Sequence, residues 1–501
     1  MQKDVAFVRS IADGRSRAKI KVDGVVHSVV SRPRVVALLY SRARDHCSAV
    51  ALPSPCARMS AADTPPQTLD QWLDYQQRAH ALGVDLGLAR VGEIWRRMGA
   101  PACARVVITI GGTNGKGSTV AFLEAMLIAA GKRVGCYTSP HLLRYNERIR
   151  VATRDVDDAA LIDAFERIER ARCADPSAVV PLTYFEFGTL AALWIFAQSD
   201  LDVALLEVGL GGRLDAVNII DADAAIVTTI DLDHQDWLGD SREAIAREKA
   251  GIFRPLRPAI IGDANAPAVL LETAERVGAH AIVAGRDYRI VDSIAGSDRG
   301  WTLAFGAESL DLPVPTLAAP VQRANAAAAI AALRALRDRV AVTADAFAAG
   351  IRSAHVAARL QRFALRGDVD LIVDVAHNPQ AAEVLARWLV SHPPRGRNLF
   401  VFGALADKDV AGIVAPLAAQ ASCWFVGGLD ADTPRGLAAP VLAASVATKV
   451  ATSEVLEHAD IRQALAVAVA NAAAGDRVVA FGSFFVAAAA LAWVNRPELS
   501  A

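Results

Sequence analysis

The sequence lacks the cysteine spacing, the long apolar runs and the charge imbalance that mark several classes of protein. Its six cysteines are scattered and none forms a CxxC pair, which excludes the common zinc and dithiol redox motifs. No uninterrupted apolar run reaches the roughly 18–20 residues that a membrane-spanning helix needs. The formal net charge is -1, so no overall field draws the chain to nucleic acid or to a membrane. We expect a protein of the reducing cytoplasm that binds small molecules.

The length and the alternation of apolar runs predict an α/β protein of more than one domain. A chain of 501 residues, 53% of them hydrophobic and 21% charged, is too long for one compact core. Strand-like and helical runs alternate, which is typical of a mostly parallel sheet with helices on both faces. We assign residues 59–357 to a large P-loop-type domain and residues 358–501 to a smaller, Rossmann-like α/β domain. The predicted strands are 106–110, 134–138, 203–208, 225–230, 259–262, 371–375, 399–402, 424–427 and 477–481.

Three further elements are predicted between and before these strands. A helix is expected from Leu69 to Leu82. Residues 285–312 form a short β-rich insert, with a turn at Asp298, Arg299 and Gly300. An alanine-rich helical region runs from Gln322 to about residue 357.

The first 58 residues differ from the rest of the chain. They are rich in arginine and lysine and contain only four acidic residues, which is a transit-peptide composition. No sustained amphipathic helix supports that interpretation. Two alternatives remain open, namely upstream sequence read in frame before a start at Met59, and a poorly ordered extension. Nothing in this segment suggests chemistry.

A glycine-rich loop after the strand at 106–110 is the most informative stretch. Proteins hold phosphates where a strand leads through a glycine loop with one lysine into a helix, because the backbone N–H groups and the helix N-terminus face the anion. The standard P-loop places Ser or Thr directly after the lysine, whereas Gly117 intervenes here, and that departure favours ATP-dependent amide ligases over kinases and GTPases. The alternative is a tight glycine turn without a ligand. The loop, called the phosphate loop below, consists of Gly112, Thr113, Asn114, Gly115, Lys116, Gly117 and Ser118.

Polar side chains also follow other predicted strands. Because ligands in open α/β sheets bind beyond the carboxyl ends of the strands, these residues are expected at one edge. Glu207 precedes a glycine loop and suits Mg²⁺, which prefers carboxylate and phosphate oxygens. Each residue has a plainer interpretation as well: Glu207 as a solvated charge, His234 as a structural histidine, and Lys249 as part of a surface ion pair. Ser139 follows the predicted strand at 134–138, and Asp374 and His377 lie at the end of the predicted strand at 371–375.

Together these motifs resemble the folylpolyglutamate synthase family, and more closely its bacterial bifunctional members, which also act as dihydrofolate synthases. The resemblance covers nearly the whole chain beyond the extension. The family belongs to the Mur-ligase-like group of ATP-dependent, ADP-forming ligases. The motifs that carry the resemblance are residues 112–118, 139–141, 182–186, 207–215, 234–239, 247–252 and 374–379.

The resemblance implies roles for matched positions in ATP and metal binding. Lys116 and the N–H groups of the phosphate loop bind ATP phosphates. Ser118 and Glu207 hold one Mg²⁺, and Ser139, Glu207 and His234 hold a second. Lys249 matches a lysine that is carbamylated in relatives, and the family also admits a monovalent cation. The catalytic set is thus Lys116, Glu207, His234 and Lys249, while the further nucleotide contacts are Asn325, Arg362, Asp374 and His377.

The same resemblance implies the substrates. Thr183, Phe185 and Asp215 match positions that hold dihydropteroate, with Phe185 stacking on the pterin and Asp215 bonding its polar edge. Leu86 lies in a segment similar to an early loop of the bifunctional enzymes. The implied reaction joins L-glutamate to dihydropteroate and to reduced folates in a monomer, without nucleic-acid or membrane partners.

The sequence departs from the family pattern at two positions, and two alternative functions have to be weighed against the resemblance. Relatives carry Pro-Gly before the arginine placed at Arg362, and a His where Phe485 stands, which affects only adenine and amino-acid binding. A Mur-type ligase for a cell-wall precursor shares the phosphate loop, but it usually carries a separate N-terminal domain. A non-catalytic nucleotide-binding module gives no reason to combine Glu207, His234 and Lys249.

Overall fold

The computed structural model describes residues 7–12, 15–22, 25–30, 66–80, 82–291, 300–450 and 453–496. The chain divides into two compact units, residues 1–64 and residues 65–501. The first unit contains three strands paired antiparallel in chain order, which were not expected from the sequence: β1 Phe7–Ala12, β2 Arg15–Val22 and β3 Val25–Val30. The remaining residues of the predicted extension lie outside the described part of the chain.

An eight-stranded sheet forms the centre of the second unit. Its strand order is β11-β10-β9-β4-β8-β5-β6-β7, and only β6 and β7 run antiparallel to their neighbours. The five strands predicted for the large domain are confirmed, whereas the three short ones at the sheet edges were missed. The strands are β4 Val106–Gly111, β5 Val134–Tyr137, β6 Ile149–Val151, β7 Arg154–Asp155, β8 Val203–Glu207, β9 Ala224–Val227, β10 Pro258–Ile261 and β11 His280–Val283.

Two smaller sheets follow along the chain. The predicted β-rich insert is an antiparallel sheet of three strands, although Asp298 and Arg299 of its predicted turn lie outside the described residues. The last sheet has the order β15-β16-β20-β17-β18-β19 and is parallel except for β15, which matches the predicted α/β architecture. The strands are β12 Arg289–Val291, β13 Trp301–Phe305, β14 Glu308–Leu312, β15 Gln361–Leu365, β16 Val369–Val373, β17 Asn398–Phe402, β18 Cys423–Gly427, β19 Glu454–His458 and β20 Arg477–Phe481.

Helices cover both faces of the two larger sheets. The alanine-rich region is two helices, because the Thr343 side chain caps a new N-terminus by accepting a bond from the Ala346 N–H. No described helix has the length and apolarity to cross a bilayer. The helices are α1 Leu69–Ala79, α2 Ala89–Arg97, α3 Lys116–Ala129, α4 Asp158–Arg172, α5 Tyr184–Ala197, α6 Gln235–Leu238, α7 Arg242–Lys249, α8 Ala268–Val277, α9 Gln322–Ala335, α10 Ala344–Ser353, α11 Pro379–Ser391, α12 Val410–Val414, α13 Ala439–Ala447, α14 Ile461–Ala470 and α15 Phe484–Val494.

The central strand β4 is buried on both faces, which fixes the position of the loop that follows it. Val107 packs into the core under α5, whereas Ile108 and Ile110 pack into the core under α3 and α9. Alternate side chains of one strand thus enter two cores, as in other doubly covered parallel sheets. The buried alanines of α9 allow that helix to lie close to α3. The phosphate loop therefore starts from a strand that is buried along its whole length.

Gly350 gives a direct test of this packing. A Cβ at Gly350 would lie 2.6 Å from the backbone nitrogen of Met126 in α3, so Gly350→Ala must push α10 away from α3. We expect a loss of about 1–3 kcal/mol in the free energy of unfolding, measured by urea denaturation. Gly92 in α2 is the matched control, because its Cβ would meet only Ile219 at 3.9 Å. Gly92→Ala should be neutral or stabilising by up to about 1 kcal/mol. Equal midpoints for the two variants would contradict the packing described.

Candidate active site

Two glycines of the phosphate loop are required by its geometry. Gly112 has φ 135°, and a Cβ there would collide with the Thr228 hydroxyl and lie 2.9 Å from the Thr228 backbone nitrogen. Gly115, the residue before α3, has φ 88°, and its Cβ would lie 2.5 Å from Asn325 Oδ1. The backbone thus turns tightly from β4 into the N-terminus of α3, which is a favourable place for an anion.

Two lysine amines converge on this loop. Lys116 Nζ donates to the carbonyl oxygens of Gly112 (3.0 Å) and Thr113 (3.2 Å). Lys249, the last residue of α7, is buried and donates to the same Gly112 oxygen at 3.0 Å. Burial lowers the pKa of Lys116, and burial together with the charge of Lys116 lowers the pKa of Lys249 to about 7. The plainer interpretation of Lys249, as part of a surface ion pair, is not what the structure shows.

A carboxylate and two hydroxyls lie beside the lysines. Glu207 ends β8 and is buried, and its Oε2 accepts a bond from the Ser139 N–H at 3.2 Å. Burial raises the pKa of Glu207, although the charge of Lys116 opposes the shift. Ser118 is buried in the first turn of α3, and Ser139 follows β5. Ser118, Ser139, Glu207 and His234 all line one cavity, as predicted.

These donors fit a divalent cation that also contacts phosphate. In the described part of the chain Glu207 forms no ion pair, so its buried carboxylate is available to a metal ion. Across all the described residues, no group of three or more His, Cys, Asp or Glu side chains is arranged to bind a metal ion. A metal at Glu207 would therefore complete its coordination with hydroxyl and phosphate oxygens, which Mg²⁺ accepts readily.

The first cavity, of about 1020 Å³, extends from the phosphate loop to the C-terminal sheet. Asn325 reaches it from α9, and its Nδ2 donates to Gln322 Oε1 at 2.9 Å. Asp374 follows β16 and accepts bonds from the Leu360 and Ala376 N–H groups at 2.8 and 2.9 Å. His377 lines both this cavity and the second cavity described below. Three of the four predicted nucleotide contacts outside the loop are thus brought together.

Arg362 is the exception and needs a correction. It lies on β15, where its Nε donates to Asp370 Oδ1 at 2.9 Å, and 68% of its side chain is exposed. It does not line the cavity. Arg359, three residues earlier, does, and its guanidinium lies 5.7 Å from the centre of the Phe484 ring.

The backbone on either side of Arg359 has an unusual conformation, which explains why the Arg359 side chain lines the first cavity. Ala358 and Leu360 have φ of 55° and 49°, a conformation that non-glycine residues adopt only when their surroundings hold them. The Asp374 carboxylate holds Leu360, and Gln361 Oε1 accepts from the Ala358 N–H at 2.9 Å. The Pro-Gly pair that relatives carry before the arginine is missing here, so no local signal indicates that the loop ends before Arg362.

A second cavity, of about 1070 Å³, adjoins the first and contains the predicted pterin residues. Leu86, Thr183, Phe185 and Asp215 all line it. The Phe185 ring lies over Gly209, where a Cβ would approach it to 2.6 Å. The Asp215 carboxylate accepts N–H bonds from Gly209, Leu210 and Val217, so it shapes the glycine loop after β8, and burial raises its pKa to about 6.

Asp233 marks the boundary between the cavities and was not predicted as a site residue. Its carboxylate accepts from Lys408 Nζ at 2.6 Å, from Asn378 Nδ2 at 3.3 Å, and lies 3.4 Å from His377 Nε2. Burial opposes its ionisation, but the bond with His377 and the charges around it hold the pKa of Asp233 below its ordinary value. Neighbouring His234 precedes α6 with φ 52°, and burial lowers its pKa to about 4. The sequence signal was present, since Asp233 and Lys408 both lie in polar loops after strands.

Comparison with known proteins agrees with this geometry. The Mur ligase middle domain matches residues 182–333, and the Mur ligase glutamate ligase domain matches residues 358–484. The dihydrofolate synthase/folylpolyglutamate synthase of Escherichia coli (strain K12) is 43% identical over 428 residues, which cover 84% of this chain and 94% of the relative.

Solved structures give the same result. That of E. coli FolC in complex with DHPP and ADP has a TM-score of 0.79 at 42% identity and covers 86% of this chain and 99% of its own. A bifunctional enzyme from Yersinia pestis, complexed with AMPPNP and a Mn ion, has a TM-score of 0.77 at 39% identity. The match covers 87% of this chain and 100% of that enzyme's chain. The resemblance found in the motifs is confirmed: the chain belongs to the folylpolyglutamate synthase family of ADP-forming, Mur-type ligases.

Proposed function

We propose that the enzyme ligates L-glutamate to dihydropteroate, forming dihydrofolate, and to the γ-carboxylate of reduced folates, with ATP converted to ADP and phosphate. The observation that carries this proposal is the junction of the two cavities. Ser139, Gly209 and His234 line both of them. A carboxylate on a molecule in the second cavity can therefore meet a phosphoryl group held above the phosphate loop in the first.

The chemistry needs positioning and charge neutralisation rather than a protein nucleophile. A carboxylate oxygen of the substrate bonds to the γ-phosphorus of ATP, and the bond to the ADP oxygen breaks, which gives an acyl phosphate. The α-amine of glutamate then attacks the acyl carbon, phosphate leaves, and the amine loses a proton. The Lys116 amine and the loop N–H groups stabilise the charge on the transferring phosphoryl group. Walls from the C-terminal sheet exclude water, which would hydrolyse the acyl phosphate.

The residues around the phosphate loop are proposed to hold two magnesium ions. Ser118 and Glu207 hold one, and Ser139, Glu207 and His234 hold the other. Bound Mg²⁺ supplies positive charge against the phosphate oxygens. Support for the first site comes from the buried Glu207 carboxylate beside the loop, as described above.

The two substrates occupy different parts of the site. We assign the pterin to the second cavity, with Phe185 as the stacking surface and with Leu86, Thr183 and Asp215 beside it. We assign the nucleotide to the first cavity, with Asn325, Asp374 and His377. We assign to Arg359 the nucleotide contact that the resemblance implied for Arg362, because Arg359 lies three residues earlier and lines this cavity.

Lys249 is proposed to be carbamylated. Its amine is buried and its pKa is about 7, so a large neutral fraction is available to react with CO₂ near neutral pH. The carbamate would replace a cation beside Lys116 with an anion, which relieves their repulsion. A monovalent cation near this carbamate is part of the same proposal, and a dependence of turnover on K⁺ tests it.

We further propose a cytoplasmic monomer with a large domain at 59–357 and a C-terminal domain at 358–501. One chain supplies every residue assigned to the site, so no partner subunit is needed, and ATP and glutamate are cytoplasmic. Sedimentation as a single chain checks the monomer.

The decisive experiment for the function is ADP release by the full chain with ATP, Mg²⁺ and L-glutamate. We expect glutamate-dependent turnover with dihydropteroate and also with a reduced folate. Turnover with the folate alone would leave chain extension and refute dihydrofolate synthesis. No turnover with either would favour the Mur-type ligase for a cell-wall precursor, and ATP hydrolysis independent of glutamate would refute a ligase.

Lys116→Ala should abolish turnover while the fold survives. The variant removes the amine nearest the transferring charge, so we expect kcat to fall about 100-fold or more. Lys132→Ala is the matched control, because Lys132 follows α3 away from both cavities. Unfolding midpoints close to that of the unaltered chain exclude a folding defect. Activity retained in Lys116→Ala would contradict the assignment.

The carbamate gives a spectroscopic prediction. In ¹³C-bicarbonate the enzyme should show a ¹³C carbamate signal that is absent from Lys249→Ala and present in Lys132→Ala. Because burial lowers the pKa of Lys249 to about 7, the neutral amine and hence the signal should grow between pH 6 and pH 8. A signal that survives Lys249→Ala, or none at pH 8, rejects carbamylation.

A further inference from the structure

We propose that Arg90 is a positioning residue that joins two walls of the second cavity and thereby sets its affinity for pteridine substrates. The inference rests on the proposed function, since it takes that cavity as the pteridine site. Arg90 itself does not line the cavity, whereas residues 83–87 on one wall and residues 183–186 on the other do. Its guanidinium lies behind both walls.

The guanidinium holds the first wall through Asp85. Its Nη1 lies 2.7 Å from Asp85 Oδ2, and its Nη2 donates to the Asp85 backbone oxygen at 2.7 Å. His80 Nε2 lies 3.4 Å from the same carboxylate oxygen. One arginine thus fixes both the side chain and the backbone of the residue that precedes Leu86.

The same guanidinium holds the second wall through Glu186. Arg90 Nη2 donates to Glu186 Oε1 at 3.2 Å, and the Glu186 side chain is only 4% exposed. The other oxygen of that carboxylate, Oε2, accepts the Thr183 N–H at 2.7 Å, and the Thr183 hydroxyl accepts the Glu186 N–H at 3.2 Å. This reciprocal pair caps the N-terminus of α5, on which Phe185 stands. Arg90 therefore connects the early loop to the cap that orients the stacking ring.

The arrangement is specific to an arginine. Its planar fork contacts a carboxylate on either side, which a lysine ammonium on a flexible stem cannot do with fixed geometry. Loss of the fork leaves Glu186 Oε1 buried without its cationic partner and frees residues 83–87 from α5. The cavity then has to be ordered by the substrate itself, which weakens substrate binding. Within the described part of the chain, no hydrogen bond or ion pair joins the phosphate loop to this network, so we expect ATP binding to be unaffected.

The test compares Arg90→Met, Arg90→Lys and Arg96→Met with the unaltered chain. Arg96 is the matched control, because it lies on the same helix, is 71% exposed and, among the described residues, forms an ion pair with Glu93 alone. We measure KM for dihydropteroate, a reduced folate and ATP, kcat, and the unfolding midpoint. Arg90→Met should raise KM for both pteridine substrates about tenfold to a hundredfold, with KM for ATP within about twofold. The pteridine KM values of Arg90→Lys should lie between those of Arg90→Met and the unaltered chain, and those of Arg96→Met should match the unaltered chain.

Each outcome decides a different claim. A fall in the unfolding midpoint and in kcat with unchanged pteridine KM values would show a purely structural arginine and overturn the inference. Should Arg90→Met fail to fold, the same comparison on Arg90→Lys decides. An unaltered chain that turns over neither pteridine substrate would instead overturn the proposed function, and this inference with it.

Discussion

The active site depends on two lysine amines, that of the buried Lys249 and that of the partly buried Lys116, which share one carbonyl oxygen. Lys116 and Lys249 both donate to Gly112, at the end of a strand that is buried on both faces. Two amines brought together away from water repel each other, and burial lowers the pKa of each. Negative charge brought to the loop relieves this repulsion. Phosphate oxygens, the Glu207 carboxylate and the carbamate proposed for Lys249 would each supply such negative charge.

The concentration of positive charge around the two lysines explains why the two cavities meet beside the phosphate loop. A carboxylate substrate is itself an anion and would be repelled by ATP, so the two can approach only where cations are concentrated. The aromatic wall around Phe185 leads to that point from one side, and the C-terminal sheet covers it from the other. Asp233 keeps the two sides together, because its buried carboxylate accepts bonds from Lys408 and Asn378 across the cleft. Rigid walls around a site of concentrated charge suit a reaction that must exclude water.

Much of this arrangement was readable from the sequence for a physical reason. The parallel strands β4, β5 and β8 are continuous apolar runs, and their carboxyl ends meet at one edge, so Lys116, Ser139 and Glu207 had to come together. The edge strands β7 and β19 were missed, because β7 has only two residues and β19 carries two glutamates in five positions, which leaves little apolar pattern. The displacement from Arg362 to Arg359 depends on backbone held at positive φ by Asp374, which no local pattern reveals. The ion pairs of Arg90 with Glu186 and of Asp233 with Lys408 join residues 96 and 175 positions apart, and only the fold brings them into contact.

The most direct test of a carboxylate meeting a phosphoryl group above these lysines is oxygen-isotope transfer. Dihydropteroate labelled with ¹⁸O in both carboxylate oxygens is converted with ATP and L-glutamate, and the released phosphate is analysed by mass spectrometry. The mechanism predicts one ¹⁸O atom in each phosphate, with the other retained in the new amide. Phosphate without ¹⁸O, formed at the same rate as dihydrofolate, would contradict an acyl phosphate and with it the proposed meeting of the two cavities.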